Sequence, residues 1–268
     1  MTTPFDPNAD SRPVFVVAGR HTSLDETAHS ARHVRLIYAR EGVLTVCNET
    51  GRWVAPPGYA VWVLPGLAYR LVASGPVAWQ SLYLDPEKME GAVCASVLPA
   101  QACVVKVDRL VDALLEAATD PSPGSGAAHP MDDGSNEPDD AHARLMQVLL
   151  DRLSTLDIAP LGLNWPRDPR SRLIADALCG DPAQQTVLDA LAASAGVAAR
   201  TAARLFVRET GLTFGQWRQQ WRLLIALERL GRGASVAQVA AGVGYSDVSS
   251  FIAVFREAMR ETPARFFR

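Results

Sequence analysis

Between residues 186 and 263 one pattern of apolar and polar positions is written twice. In the first copy Leu188, Leu191, Ala192, Gly196 and Val197 lead to Ala202 and Phe206. In the second, Val236, Val239, Ala240, Gly244 and Tyr245 lead to Phe251 and Phe255. Each copy runs apolar-x-x-apolar-Ala, then Gly four residues on, an apolar residue and a second amphipathic stretch. The second copy carries one extra residue. This spacing predicts a helix-turn-helix: the small Ala lets two helices cross closely, and the Gly takes the positive φ of the turn. The run 214–230 between the copies predicts a single helix of about 26 Å at 1.5 Å per residue. Thr213 with Gln216 opens it as a capping box, and Ser235 with Gln238 repeats that signal before the second copy. A strut of this length suits two recognition helices held about one DNA turn, roughly 34 Å, apart.

Upstream the period changes. Gly and Pro punctuate short apolar runs at 14–18, 34–40, 43–47, 60–64, 69–73 and 78–84, which predict the strands of an antiparallel barrel or sandwich. Trp53, Tyr59, Trp62, Tyr69, Trp79 and Tyr83 fall in this region. Filling the core is the ordinary role of large aromatics in a small β domain; lining a ligand pocket is the other role open to them. Val107, Leu110, Val111, Leu114 and Leu115 then recur at helical spacing. Residues 120–140 are rich in Pro, Gly, Ser and Asp, which predicts a flexible loop. Met146, Leu149, Leu153 and Leu156 follow at a/d spacing, fit for a coiled-coil seam between two chains or for packing on the chain's own barrel. Residues 156–169 are Pro-rich and apolar and read as the joint to the repeat.

Composition narrows the class. A chain of 268 residues is long enough for two domains, each with its own core. Residues 1–13 lack the basic and apolar regions of a signal peptide, and no apolar run approaches a membrane span. Cys47, Cys94, Cys103 and Cys179 show no zinc-like spacing, which reads as reduced cytosolic thiols. The net charge of −3 hides a split. Residues 168–268 hold 13 Arg and no Lys against 9 acids, while residues 1–167 are net −7. A basic end on an acidic body fits a phosphate-binding module attached to a second unit.

The residues that fill out the repeat carry a resemblance. Arg204-Leu-Phe-Val-Arg-Glu-Thr-Gly211, Gly215-Gln-Trp-Arg218, Arg222-Leu-Leu224, Val239-Ala240, Gly244-Tyr245, Ser250-Phe251, Phe255-Arg256 and Thr262-Pro263 resemble the AraC-type transcription regulators over roughly the last hundred residues. The resemblance implies one seven-helix domain with two helix-turn-helix units, acting on a promoter. Gly51-Arg-Trp-Val-Ala-Pro-Pro57 and Ala60-Val-Trp-Val-Leu-Pro-Gly66 are similar to the cupin-like sensor domain of one branch of that family. Sensor domains of this kind offer a His-x-His, a Gln and a later His, suggestive of a metal site. At the matching positions this chain has His29, Ala31, Arg35 and Tyr69. Ala31 has no donor atom, Arg35 is a fixed cation, and Tyr69 would ligate only as phenolate against a pKa of about 10. No metal and no cofactor are therefore expected. If Arg35 points inward, its guanidinium needs an acceptor, either an internal acid or an anionic effector, with Tyr69 as a second donor. His29, Arg35 and Tyr69 are the candidate effector-binding residues. His33 sits one pleat away and shares the face of His29 only if the register slips.

On the first recognition helix Ala202, Leu205 and Phe206 face the core, which turns Arg200, Ala203, Arg204 and Val207 outward with Arg208 on the flank. Arginines at the start of such a helix suit the O6/N7 edge of guanine, and Arg208 suits a phosphate. Ala203 and Ala198 stand where the family more often has a polar side chain and a Ser cap. On the second helix Ser249, Ala253, Arg256 and Arg260 face out beside Ser250, a face short of long polar groups that suits positioning more than reading. The candidate DNA-binding residues are thus Arg200, Ala203, Arg204, Arg208, Ser249, Ser250, Ala253 and Arg256.

The expected architecture is two-domain: an all-β cupin-like barrel followed by helices, then an all-α domain with two helix-turn-helix units. Residues 1–106 read as the sensor domain, 107–168 as a helical dimerisation and linker region, and 169–268 as the DNA-binding domain. The expected protein is a dimeric cytoplasmic regulator of transcription. Its partners are double-stranded promoter DNA, RNA polymerase and a small-molecule effector, and it has no membrane contact. The alternative is a cupin-type enzyme with an appended DNA-binding domain; it lacks a His/Glu/Asp cluster or a nucleophile–base set, so no catalytic residue is expected.

Overall fold

The structure is a computed structural model that describes residues 10, 12–28, 32–73, 75–89, 99–119 and 140–267. His29 and Ala31, and the loop expected at 120–140 apart from Asp140, lie outside the described residues. The strands are β1 (Val14–His21), β2 (Leu24–Ala28), β3 (Val34–Glu41), β4 (Leu44–Cys47), β5 (Gly51–Ala55), β6 (Tyr59–Val63), β7 (Tyr69–Ala73), β8 (Val77–Leu84), β9 (Cys103–Lys106), β10 (Ile158–Ala159) and β11 (Gly162–Asn164). Helices α1 (Arg109–Ala118) and α2 (Asp140–Leu153) follow the barrel strands. The C-terminal part holds α3 (Pro169–Gly180), α4 (Leu188–Ser194), α5 (Ala199–Thr210), α6 (Phe214–Gly231), α7 (Val236–Gly242), α8 (Val248–Met259) and α9 (Pro263–Phe266).

The strands form two antiparallel sheets, in the orders β1-β8-β3-β6-β9-β10 and β11-β5-β4-β7-β2. The first sheet is covered on both sides, which is why β3 reads as a nearly continuous buried run. Its Ile37 and Ala39 face the second sheet, in one cluster with Leu44 and Leu71. Val34, Leu36 and Tyr38 face the other way, onto α1 and α2. Strands β2, β5 and β9–β11 escaped the sequence reading because they are short, at five residues or fewer.

Three expectations are corrected. Met146, Leu149 and Leu153 are buried in the chain's own core with Val111 and Leu115 of α1 and Leu36, Trp62 and Leu82 of the sheet. The stripe is therefore intramolecular, because the outer face of the first sheet is apolar and needs a cover. The stretch read as a joint is woven into the barrel: β10 pairs with β9 and β11 with β5. Nor does each part keep a separate core. One buried cluster runs from Leu44, Trp53 and Leu71 in the barrel to Trp217, Leu224 and Leu227 of α6.

The seam between the parts is built from paired groups. Trp165 packs against both Trp217 and Trp221, at ring-centroid distances of 5.7 and 5.6 Å. The Trp217 Nε1 donates to the Asn164 carbonyl at 3.0 Å, and Tyr59 meets Phe266 of α9 at 6.2 Å. Five of the six barrel aromatics are buried, and only Trp79 keeps partial exposure. Trp62 faces the helices and not the barrel interior. Burial pushes the Cys103 thiol up to about 11 and the Cys179 thiol up to about 12.

Candidate nucleic-acid interface and barrel interior

Both helix-turn-helix units form where the repeat places them. Helices α4 and α5 meet at 95°, and the turn glycines Gly196 and Gly244 have φ of 69° and 84°. A Cβ at Gly244 would fall 2.8 Å from the Ala183 carbonyl, so packing as well as backbone requires glycine there. The capping boxes of Thr213 with Gln216 and Ser235 with Gln238 are both complete. Helix α6 also braces the two units against each other. Arg222 donates to the carbonyls of Pro182 and Gln184 ahead of α4, and the Gln185 side chain donates to the Gly244 carbonyl at 2.5 Å. Nothing in the sequence pattern signalled that brace, since all three acceptors are backbone groups.

On α5 the buried residues are Ala202, Leu205 and Phe206. Arg200 and Arg204 are exposed one helical turn apart, and Ala203 between them is half-buried. Among the described residues neither Arg200 nor Arg204 makes a hydrogen bond or ion pair. Arg208 is held instead, its Nη2 donating to Glu209 Oε1 at 2.8 Å. The other Glu209 oxygen accepts from the backbone N–H of Arg167 and Asp168, which ties Arg208 to the start of α3. Ala198 at the N-cap makes no side-chain bond.

On α8 Ser249, Ala253, Arg256 and Arg260 are exposed, and Phe251, Phe255 and Met259 are buried. Ser250 is engaged locally: its N–H donates to Asp247 Oδ1 at 2.8 Å and its hydroxyl to Oδ2 at 2.6 Å. Those bonds, the side-chain one foremost, hold the Asp247 carboxyl below the usual value. Asp247 is the N-cap that the sequence reading missed; its signal was an acid three residues before Ser250.

Within the barrel Arg35 does point inward. It is only 9% exposed, and it donates to Tyr69 Oη at 2.8 Å and Ser81 Oγ at 3.0 Å. Arg35 and Tyr69 are thus brought together from opposite sheets, with Ser81 as a second acceptor for Arg35; its strand also carries Gln80 and Tyr83, so nothing in the sequence singled it out. The expectation that His33 lies a pleat away is corrected: two residues before Arg35 it falls on the same face with no slip of register, and it turns inward with its ring edge-on to Phe15 at 5.6 Å and Tyr83 at 6.0 Å. Among the described residues no group of three or more His, Cys, Asp or Glu stands ready to hold a metal ion.

Residues 14–199 match the family described as AraC-like ligand binding domain, and residues 191–268 match a helix-turn-helix domain. The chain belongs to the AraC family of transcription regulators. As an AraC-family protein it is a DNA-binding transcription regulator with a ligand-binding, cupin-like domain. It is 29% identical over 261 residues to the HTH-type transcriptional regulator NimR of Escherichia coli (strain K12), covering 97% of this chain and 89% of that one. It is 37% identical over 101 residues to the HTH-type transcriptional regulator RipA of Corynebacterium glutamicum, covering 38% of this chain and 30% of that relative. Among solved structures, ToxT from Vibrio cholerae aligns over 96% of this chain and 98% of its own, with 10% identity and a TM-score of 0.37. No single described helix of this AraC-family chain is long and apolar enough to cross a membrane.

Proposed function

We propose that this regulator reads promoter DNA mainly through Arg200 and Arg204. The carrying observation is that these two guanidinia are exposed on one face of α5 with no partner among the described residues. Free, fixed cations at a recognition helix are suited to guanine edges, whereas an arginine already paired is better placed for a phosphate. Arg208 takes that phosphate role beside Glu209. Ala203 allows the close approach of the helix to the groove. Helix α8 positions the protein through Ser249, Ala253 and Arg256, with Ser250 fixing the helix start.

The protein acts in the cytoplasm as a homodimer whose contact is the outer face of α1 and α2. Leu110 and Val148 support this, being 48% and 46% exposed on those helices. An effector held in the barrel by Arg35 and Tyr69 changes how the two DNA readers are presented. Promoter contact then recruits or excludes RNA polymerase. The chain has no enzymatic activity on this reading.

Selection of bound fragments from a random DNA pool, with sequencing, tests it. The expected result is a motif with one sharply defined block, contacted by α5, and a looser block about one helical turn, roughly 34 Å, away. Uniform recovery of all sequences would overturn the reading in favour of non-specific packaging.

A further inference from the structure

The two recognition helices end in the same geometry on different residues. Helices α5 and α8 are both 12 residues long, and each is closed by a left-handed residue whose N–H donates to the carbonyl four positions back. In the first unit that residue is Gly211, with φ of 75°; in the second it is Arg260, with φ of 63°. Every other described residue with positive φ is a glycine. In any residue but glycine this conformation crowds Cβ against the carbonyl oxygen, so Arg260 costs the fold stability. The closing bond comes from the backbone N–H and gives no reason for an arginine. A cation suits the negative end of a helix, but Arg256 already supplies one in the last turn of α8, as Arg208 does in α5.

The Arg260 side chain is exposed and, like that of Arg256 one turn before it, has no hydrogen bond or ion pair among the described residues. Two unpaired cations four residues apart repel each other unless an anion lies between them. With Ala253 and Glu257 they line a shallow open depression on α8. Two cations against one acid leave that depression positive. Ser249, Ala253, Arg256 and Arg260 recur at spacings of 4, 3 and 4, one stripe opposite the buried Phe251, Phe255 and Met259. Charge therefore runs in opposite senses along the two helices. Helix α5 carries its free arginines, Arg200 and Arg204, in its first half, whereas α8 begins with small side chains and ends on arginines.

We propose that Arg260 and Arg256 clamp the DNA backbone, each taking a phosphate where the end of α8 leaves the groove. The proposal rests on the reading that α8 positions the protein on DNA, and it names the chemical group that α8 holds. A recognition helix in the major groove has its start at the base edges, and its far end meets the phosphate wall. Ser249 and Ala253 are small enough to let α8 sit close to the groove floor, which brings both guanidinia within reach of the strand. The left-handed backbone at Arg260 is the cost of carrying a second cation at the point where the first unit has a glycine. Phosphate contacts release counterions and carry no sequence information directly, so the second unit contributes salt-dependent affinity whatever the sequence.

The test measures binding of the full-length protein to a random-sequence duplex and to a selected fragment by fluorescence anisotropy, from roughly 50 to 200 mM salt. Arg260→Gly is expected to weaken binding to both DNAs several-fold and to make the slope of log K against log salt shallower by about one. Arg260→Lys is expected to keep the wild-type slope, since a lysine also serves a phosphate. Without DNA, Arg260→Gly is expected to melt no lower than the wild type, because glycine relieves the left-handed backbone. An unchanged slope in Arg260→Gly, or an Arg260→Lys protein that behaves as Arg260→Gly does, would overturn the clamp. So would a loss confined to the selected fragment, which would make Arg260 a reader of bases. An Arg260→Gly protein that melts several degrees lower would also overturn it, since the arginine would then be a structural cap. Failure of the α5 reading leaves this test intact, because the random duplex alone reports the slope.

Discussion

Arg52 reaches across the seam between the barrel and α6 and places Nε and Nη2 at 3.0 and 2.6 Å from one Glu228 oxygen, Oε1. The Thr45 hydroxyl donates to the same oxygen at 2.7 Å, and the guanidinium lies 5.5 Å from the Trp221 ring centroid. The two side chains are 22% and 10% exposed, so solvent screens the pair little. Removing one partner of such a pair is costly, because it leaves the other charge buried and alone. Replacing both with apolar groups is much cheaper.

Glu228→Ala is accordingly expected to lower the unfolding free energy by about 3 kcal/mol in a denaturant titration. Arg52→Met with Glu228→Leu should recover most of that loss. A single mutant within about 0.5 kcal/mol of wild type would show that the pair is an exposed bridge of little weight.

Arg204→Ala is expected to cost about 1–3 kcal/mol on the selected site and much less on random DNA at the same salt. Gel-shift titrations of both DNAs decide it. Equal losses would make Arg204 a phosphate contact, which would leave base reading to Arg200 and to groove shape.

The α2 stripe makes a prediction opposite to that of an intersubunit seam. Leu149 is fully buried, so Leu149→Ala should destabilise the fold by about 2–5 kcal/mol. Leu149→Glu should fail to fold rather than yield a folded monomer. Leu110→Glu with Val148→Glu, on the exposed face, should leave the circular dichroism spectrum intact and give a monomer by light scattering. If that double variant remains dimeric, the contact lies elsewhere.

Burial pushes the His33 imidazole below its usual value of 6.5, while the Asp85 carboxylate pulls weakly the other way. The unfolded chain therefore binds a proton near pH 6.5 that the folded chain refuses until the pH is lower. Stability is full above that range and falls as the pH drops below about 6.5, by at most about 1.4 kcal/mol per pH unit, until the folded-state pKa is passed. Asp10 and Asp168, whose carboxyls their arginine neighbours hold below the usual range, act only near and below pH 4, on the order of the ordinary carboxyl value. Thermal unfolding of His33→Phe from pH 7 to 5 should show a flattened slope; an unchanged slope would assign the acid loss to other groups.

The sequence by itself determined the C-terminal part. Helix period, capping boxes and turn glycines are local signals, each set by residues within about four positions of one another, so they survive in a one-dimensional reading. The burial of Leu205 and Phe206 and the exposure of Arg200 and Arg204 follow from that period alone. In the barrel the sequence showed the longer strands and the oddity of Arg35 and Tyr69. It did not show Ser81, His33 or Trp79 as their neighbours, because strand register and the choice of facing sheet are long-range facts. The same holds for the Met146–Leu153 stripe, whose spacing is equally good for a second chain or for the chain's own sheet. Only the tertiary structure decided it, through the apolar outer face of β3, β6 and β8 that had to be covered. The Arg52–Glu228 pair spans 176 positions, and no local pattern marks two such residues as partners. Their meeting is a consequence of how α6 docks on the second sheet, and that docking is what joins the sensor to the reader.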